Sequence, residues 1–171
     1  MVSIFQLGQE KPTAADRLDA AYADCEMIAR NASSSFFRSF RHLPPHKRKA
    51  VNSLYAFCRR VDDIVDGDWL PEQDLSHLNQ KAESRSMQLS IDKQSEPAND
   101  DINHINKLRS LLWFRINLDK IEQGEFVDES IFIALSDVIK KFPLELDHLR
   151  ELISGMEDDL YCTNYKRFED L

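Results

Sequence analysis

Glycine and proline are scarce in this chain, four and six among 171 residues. Both interrupt regular backbone, so their scarcity leaves room for long helices. No run of alternating β-branched residues is long enough to argue for a sheet. Nor does any stretch approach the ~18 consecutive apolar residues of a membrane-spanning helix. The N-terminus lacks the basic-then-apolar order of a secretory leader. The cysteines Cys25, Cys58 and Cys162 are odd in number and form no C-x-x-C pair. That argues against a disulfide framework or a zinc site, and for a reducing compartment. Basic residues are outnumbered, with a net charge of −8, which argues against nucleic acid as a partner. The expected location is cytoplasmic, with peripheral membrane contact allowed.

What remains is a chain that is 42% hydrophobic and 30% charged, enough to build one globular domain over residues 1–171. Residues 1–12 read as a loose lead-in. Thr13 or Asp16 can cap a helix running to about Asn31, with Leu18, Tyr22, Cys25, Ile28 and Ala29 facing inward. Ser33, Ser34 and Ser35 suit either a capping and turn segment or a hydroxyl-rich anion cradle. Phe36, Phe37 and Phe40 follow as core or pocket wall. Pro44-Pro45 stops one helix and starts the next. Leu75, Leu78, Ala82 and Leu89 mark a polar helix, and residues 92–101 read as a mobile loop. Three further apolar series follow at helical spacing: Ile102 to Ile116, Ile131 to Ile139, and Leu146 to Leu160. The expected fold is an all-α bundle of five or six helices.

The most informative stretch is residues 54–66. Without Gly or Pro, it reads as one helix ending at Gly67, a suitable C-terminal cap. Tyr55, Arg59, Asp62 and Asp66 share one face of that helix, while Phe57, Cys58, Val61, Ile64 and Val65 form an apolar stripe. Two carboxylates one turn apart suit a hard cation such as Mg²⁺, which takes few protein ligands and completes its shell with phosphate oxygens. Arg59 and Tyr55 are donors for those oxygens. The same pattern also fits a solvated acidic face in which Arg59 pairs with Asp62 or Asp63. Near the C-terminus, Gly155 inside a helix points to close packing or to a ligand against the backbone. Glu157, Asp158 and Asp159 read as a solvated acidic turn.

Taken together, three segments resemble the N-terminal half of the squalene/phytoene synthase family. They are Ser33-x-Ser35-Phe36, Leu43-Pro44-x-x-Lys47-Arg48-x-Ala50-Val51, and Leu54-Tyr55-Ala56-Phe57-Cys58-Arg59-x-Val61-Asp62-Asp63-Ile64-Val65-Asp66. Leu152-Ile153-x-Gly155-Met156-Glu157-x-Asp159-Leu160, followed by Tyr165 and Phe168-Glu169-Asp170-Leu171, resembles it too. Residues 70–103 match least well. The resemblance implies an isoprenoid-synthase-type helical bundle that joins two prenyl diphosphates (farnesyl or geranylgeranyl) head to head. The product would be a C30 or C40 carotenoid precursor such as dehydrosqualene or phytoene. It implies Asp62 and Asp66 as Mg²⁺ ligands with Asp63 in support, and Ser33, Ser35, Tyr55 and Arg59 on diphosphate. Phe36, Gly155 and Met156 would contact substrate.

Several positions depart from the family pattern. Ala32 and Ser34 stand where a His and a basic residue are common, and Asn164 stands where an Arg often precedes Tyr165. A second Asp-rich motif, which the family carries further on, does not occur in residues 1–171. The expectation is therefore a truncated, N-terminal portion of such an enzyme. Its alternative is a non-catalytic module that binds Mg²⁺–diphosphate or a complementing C-terminal chain.

Overall fold

A computed structural model describes residues 11–32, 34–73, 75–92 and 102–161. Those residues form seven α-helices and no strand: α1 (Ala14–Ala32), α2 (Ser34–Phe40), α3 (Pro45–Asp66), α4 (Asn79–Asp92), α5 (Ile102–Glu122), α6 (Ser130–Lys141) and α7 (Leu146–Asp159). A 3₁₀ turn at Ser76–Leu78 leads into α4. The helical class is as expected, with α2 as an additional short helix. So brief a segment is marginal alone. Tertiary contact supports it, through the Phe40 ring packed edge-on against Tyr55 of α3, with centroids 6.0 Å apart. The loose lead-in over residues 1–10 and the loop over 93–101 lie outside the described residues, while Asp92 closes α4.

Local chemistry explains the helix boundaries. At α1, the Thr13 N–H donates to Asp16 Oδ2 at 2.9 Å and the Asp16 N–H returns the bond to Thr13 Oγ1 at 3.2 Å. This reciprocal box satisfies donors that the first turn leaves free. Pro44 caps α3 in extended geometry, with Pro45 at the first helical position, where its missing N–H costs nothing. Gly67 ends α3 at φ +87° and donates back to the Asp63 and Ile64 carbonyls. Glu129 caps α6 by accepting from the N–H groups of Ile131 and Phe132 at 2.9 and 3.3 Å. Burial pushes the Glu129 carboxyl above its ordinary pKa, and those two N–H bonds oppose the shift.

The core is organised by aromatic rings. Phe57 of α3 meets Phe114 of α5 at 5.3 Å and Phe132 of α6 at 6.2 Å, and Phe114 meets Phe132 at 5.3 Å, all edge-to-face. Trp113 lies against Phe132 at 5.5 Å. Such pairs each add about 0.5–1.5 kcal/mol beyond their buried area. α1 lies over α3 and α6 with Ala21, Tyr22, Cys25 and Ala29 buried. Helix α5 departs from the expected single stripe. Trp113, Phe114, Leu118 and Ile121 are buried as well as Leu108 and Leu111, whereas Ile102 is exposed. A helix buried on several sides has no clean amphipathic period, and α5 packs against α3, α4, α6 and α7.

Gly67→Ala should destabilise the chain by about 1 kcal/mol, because a Cβ opposes left-handed backbone. Its added methyl would meet only Lys107 side-chain atoms, at 3.4–3.5 Å. Urea unfolding measures the effect, and an unchanged midpoint would contradict the strain argument.

Candidate functional site

The buried side of α3 is Ala50, Ser53, Ala56, Phe57, Val61 and Ile64. Packing it inward turns Tyr55, Arg59, Asp62 and Asp66 toward the surface, as the helical spacing requires. Tyr55 and Arg59 are half-buried and Asp66 is exposed. Arg59 makes both pairs that its spacing allows: Nη1 to Asp62 Oδ2 at 2.9 Å and Nη2 to Asp63 Oδ1 at 2.6 Å. Arg60 adds Nη1 to Asp63 Oδ2 at 3.1 Å, and its guanidinium lies 4.9 Å over the Trp69 ring.

Asp63 therefore differs from its two neighbours. Its side chain is 8% exposed and both oxygens are taken by guanidinium groups. It serves as the fixed acceptor that holds Arg59 and Arg60. Asp62 is partly exposed and shares only Arg59. Asp66 has no hydrogen bond or ion pair among the described residues. It also sits at the helix C-terminus, where the backbone dipole is negative and another anion is unfavourable. The last turn of α3 carries no basic residue. Compensation comes from α5, whose Lys107 donates from Nζ to the Val65 carbonyl at 2.7 Å.

This donor set suits a hard divalent cation. Asp62 and Asp66 offer oxygens one turn apart in a field that favours positive charge. Among the described residues, no group of three His, Cys, Asp or Glu side chains is arranged to hold a metal. A cation here would draw its remaining ligands from water or phosphate.

The other expected residues are distributed around this helix. Ser33 lies outside the described residues, as do the side chains of Ser34 and Phe36. Ser35 is exposed in the first turn of α2. Its carbonyl accepts from Ser39 Oγ at 3.2 Å, and the ring pair joining α2 to the α3 face sits at the opposite end of α2, on Phe40. Met156 of α7 packs partly buried on the main core. Gly155 is exposed, and a Cβ built there would meet nothing within 4 Å. Close helix packing is thus not its explanation among the described residues, and the surface beside it is open. Cys162, Asn164, Tyr165 and Phe168 to Leu171 lie outside the described residues.

The solvated acidic turn expected at Glu157 is overturned. Glu157 is 2% exposed. Arg85 of α4 reaches its Oε2 at 2.8 Å, and Arg115 of α5 reaches Oε1 and Oε2 at 3.3 and 3.2 Å. Arg115 also donates to Ser154 Oγ at 2.9 Å. Both partners are distant in sequence, so the apolar period of α7 gave no sign of them. Burial pushes the Cys25 thiol up to about 12, and burial also raises Cys58.

The described bundle thus presents Asp62 and Asp66 on one helix face, with Arg59 held between Asp62 and Asp63. The sequence model of the squalene/phytoene synthase family matches residues 29–171, and the chain belongs to that family. Its relatives include phytoene synthase of Mycobacterium tuberculosis, 27% identical over 154 residues, which are 90% of this chain and 39% of that protein. The 15-cis-phytoene synthase of Synechocystis sp. is 26% identical over 170 residues, 98% of this chain and 40% of that protein. The chloroplastic phytoene synthase of Cucumis melo is 25% identical over 154 residues, 90% of this chain and 28% of that protein. The chain thus spans about two fifths or less of the length of these relatives.

Glu157→Ala should cost about 2–3 kcal/mol, toward the low end for a broken buried pair, because the Arg85 side chain keeps 37% exposure. Glu157→Gln should cost less. Gly155→Ala should stabilise the chain by up to about 1 kcal/mol, as a helical glycine with open space beside it. Denaturant midpoints check all three, and a neutral Glu157→Ala would remove Glu157 as an anchor of α7.

Proposed function

We propose that this chain carries the first metal- and diphosphate-holding face of an enzyme that condenses two prenyl diphosphates head to head. The observation that carries the proposal is the α3 face itself. Arg59 is anchored on buried Asp63 while Asp62 and Asp66 remain accessible one turn apart, on a helix within the family match. Asp62 and Asp66 would hold Mg²⁺, which supplies charge neutralisation on the departing diphosphate.

The residues have distinct tasks in this reading. The anchor on Asp63 lets Arg59 keep its orientation when Asp62 turns to a cation. Its guanidinium and the Tyr55 hydroxyl then donate to phosphate oxygens as the carbon–oxygen bond breaks and both electrons leave with the diphosphate. The resulting allylic cation would be captured by the double bond of the second substrate. Loss of a proton would close a cyclopropyl diphosphate intermediate, and departure of its remaining diphosphate, rearrangement and loss of a second proton would give a C30 or C40 hydrocarbon such as dehydrosqualene or phytoene. Ser33, Ser35 and Phe36 would extend the substrate contacts. Gly155 and Met156 would line the prenyl chain, and the open surface at Gly155 leaves room for it. Water must be kept from the cation, so apolar walls are part of the chemistry. Among the described residues, no helix is long and apolar enough to cross a membrane. Such a chain would meet its lipid-like substrate in the cytoplasm or at a membrane surface.

A second reading is binding without turnover, alone or beside a complementing chain. The two are separated by incubating the chain with Mg²⁺ and farnesyl or geranylgeranyl diphosphate and extracting hydrocarbons. A C30 or C40 product from one substrate establishes turnover and its chain length. Mg²⁺-dependent diphosphate binding without product supports the second reading. Asp62→Ala and Asp66→Ala should each abolish that Mg²⁺-dependent binding with helicity retained, and wild-type binding by both variants would remove the metal assignment.

A further inference from the structure

Away from the α3 face, α4, α5 and α7 enclose a cleft of about 540 Å³ whose lining includes Lys81, Ser84, Arg85, Gln88, Arg115 and Glu157. The α4 residues in that lining recur along one face and are all polar. The opposite face is apolar, with Ala82 and Leu89 buried against Leu108 and Tyr161. A polar helix stripe ordinarily looks into bulk water, but this one looks into a concavity walled by two arginines.

Glu157 has both oxygens occupied and is almost wholly buried. Its function in the cleft is to fix the two guanidinium groups. Arg85 uses Nε and Nη2 on it, and Arg115 uses Nε and Nη2 on it and on Ser154. Each arginine keeps its Nη1 without a hydrogen bond among the described residues. Lys81 is exposed and has no ion pair among them. Three cations thus face one carboxylate that is already fully engaged. Excess positive charge along a concave surface favours an anion.

We propose that this cleft binds a small phosphate-bearing anion, through Lys81, Arg85 and Arg115 and without a metal. Donors arrive from two helices and from both arginine and lysine, which suits a group with several oxygens better than a two-oxygen carboxylate. Gln88 adds a neutral donor on the same wall, where the Ser84 hydroxyl already donates to the Gln80 carbonyl at 2.8 Å. The proposal is independent of the α3 reading. Helix α4 falls within residues 70–103, where the family resemblance is weakest, while Glu157 lies in a segment that carries it.

The test is calorimetric titration of the full chain with inorganic diphosphate in EDTA at low ionic strength. Saturable binding is expected, retained in Asp62→Ala and Asp66→Ala. Lys81→Glu, at an exposed position, and Gln88→Glu, which breaks no ion pair, should each weaken it about fivefold or more, the first by removing a charge-assisted contact and both by placing a carboxylate against the anion. Inorganic phosphate should compete and acetate at equal ionic strength should not. Absence of binding in EDTA, or wild-type affinity in both cleft variants, would overturn the site. Loss of binding in the Asp62 and Asp66 variants would place the anion on α3 instead and overturn it too. Equal competition by acetate would overturn the phosphate assignment.

Discussion

Phe57 is fully buried where α3, α5 and α6 converge, its ring edge-to-face with Phe114 and Phe132. A helix side chain of that size, surrounded by two other rings, permits little rotation of α3 about its axis. Tyr55, Arg59, Asp62 and Asp66 are separated from Phe57 by fixed angular steps, so locking one direction locks the others. The presentation of the acidic face is therefore a consequence of apolar packing. No interaction among the acidic residues could supply it, because like charges on adjacent turns repel.

That repulsion has to be offset, and the offsets come from several directions. Asp63 is neutralised within α3 by Arg59 and Arg60. The α3 carbonyl end is met by Lys107 from α5. Arg60 is in turn braced by its position over Trp69. What remains uncompensated is Asp66 and the second oxygen of Asp62, the least buried part of the face. Most of the charge cluster is thus balanced internally, and a defined remainder is not.

Much of this was legible in the sequence because it is local. Thr13 with Asp16, Pro44-Pro45, Gly67 and the 54–66 helix each announce themselves within a few residues, and backbone chemistry allows few alternatives. The Arg59 pairs were legible as an option and form as drawn, with the buried Asp63 as the part that spacing could not reveal. What was not legible depends on packing between distant segments. The burial of α5 on several sides erased its period, so Trp113, Phe114, Leu118 and Ile121 were not expected in the core. Glu157 looked like one acid among three, because its partners Arg85 and Arg115 are far away in the chain.

Helix α5 emerges from those unexpected contacts as the reference for both motif-bearing helices. Near its N-terminal end, Lys107 holds the last turn of α3. Two turns further on, Arg115 holds Glu157 and Ser154 of α7. Between these points, Phe114 packs into the aromatic cluster with Phe57. One rigid helix thus contributes a cation to each of the two segments that carry the family resemblance, and a ring to the core that orients them. A buried pair such as Arg115–Glu157 adds little net stability over an apolar replacement, although breaking it is costly, so the main effect of these contacts is geometric. They set where along α5 each segment stops, and so fix α3 and α7 in register relative to one another. A substitution on α5 that never touches a ligand can therefore move the acidic face relative to Gly155 and Met156. On the proposed reading, with a diphosphate at the acidic face and a prenyl chain at Gly155 and Met156, that separation would matter as much as the identity of the acids.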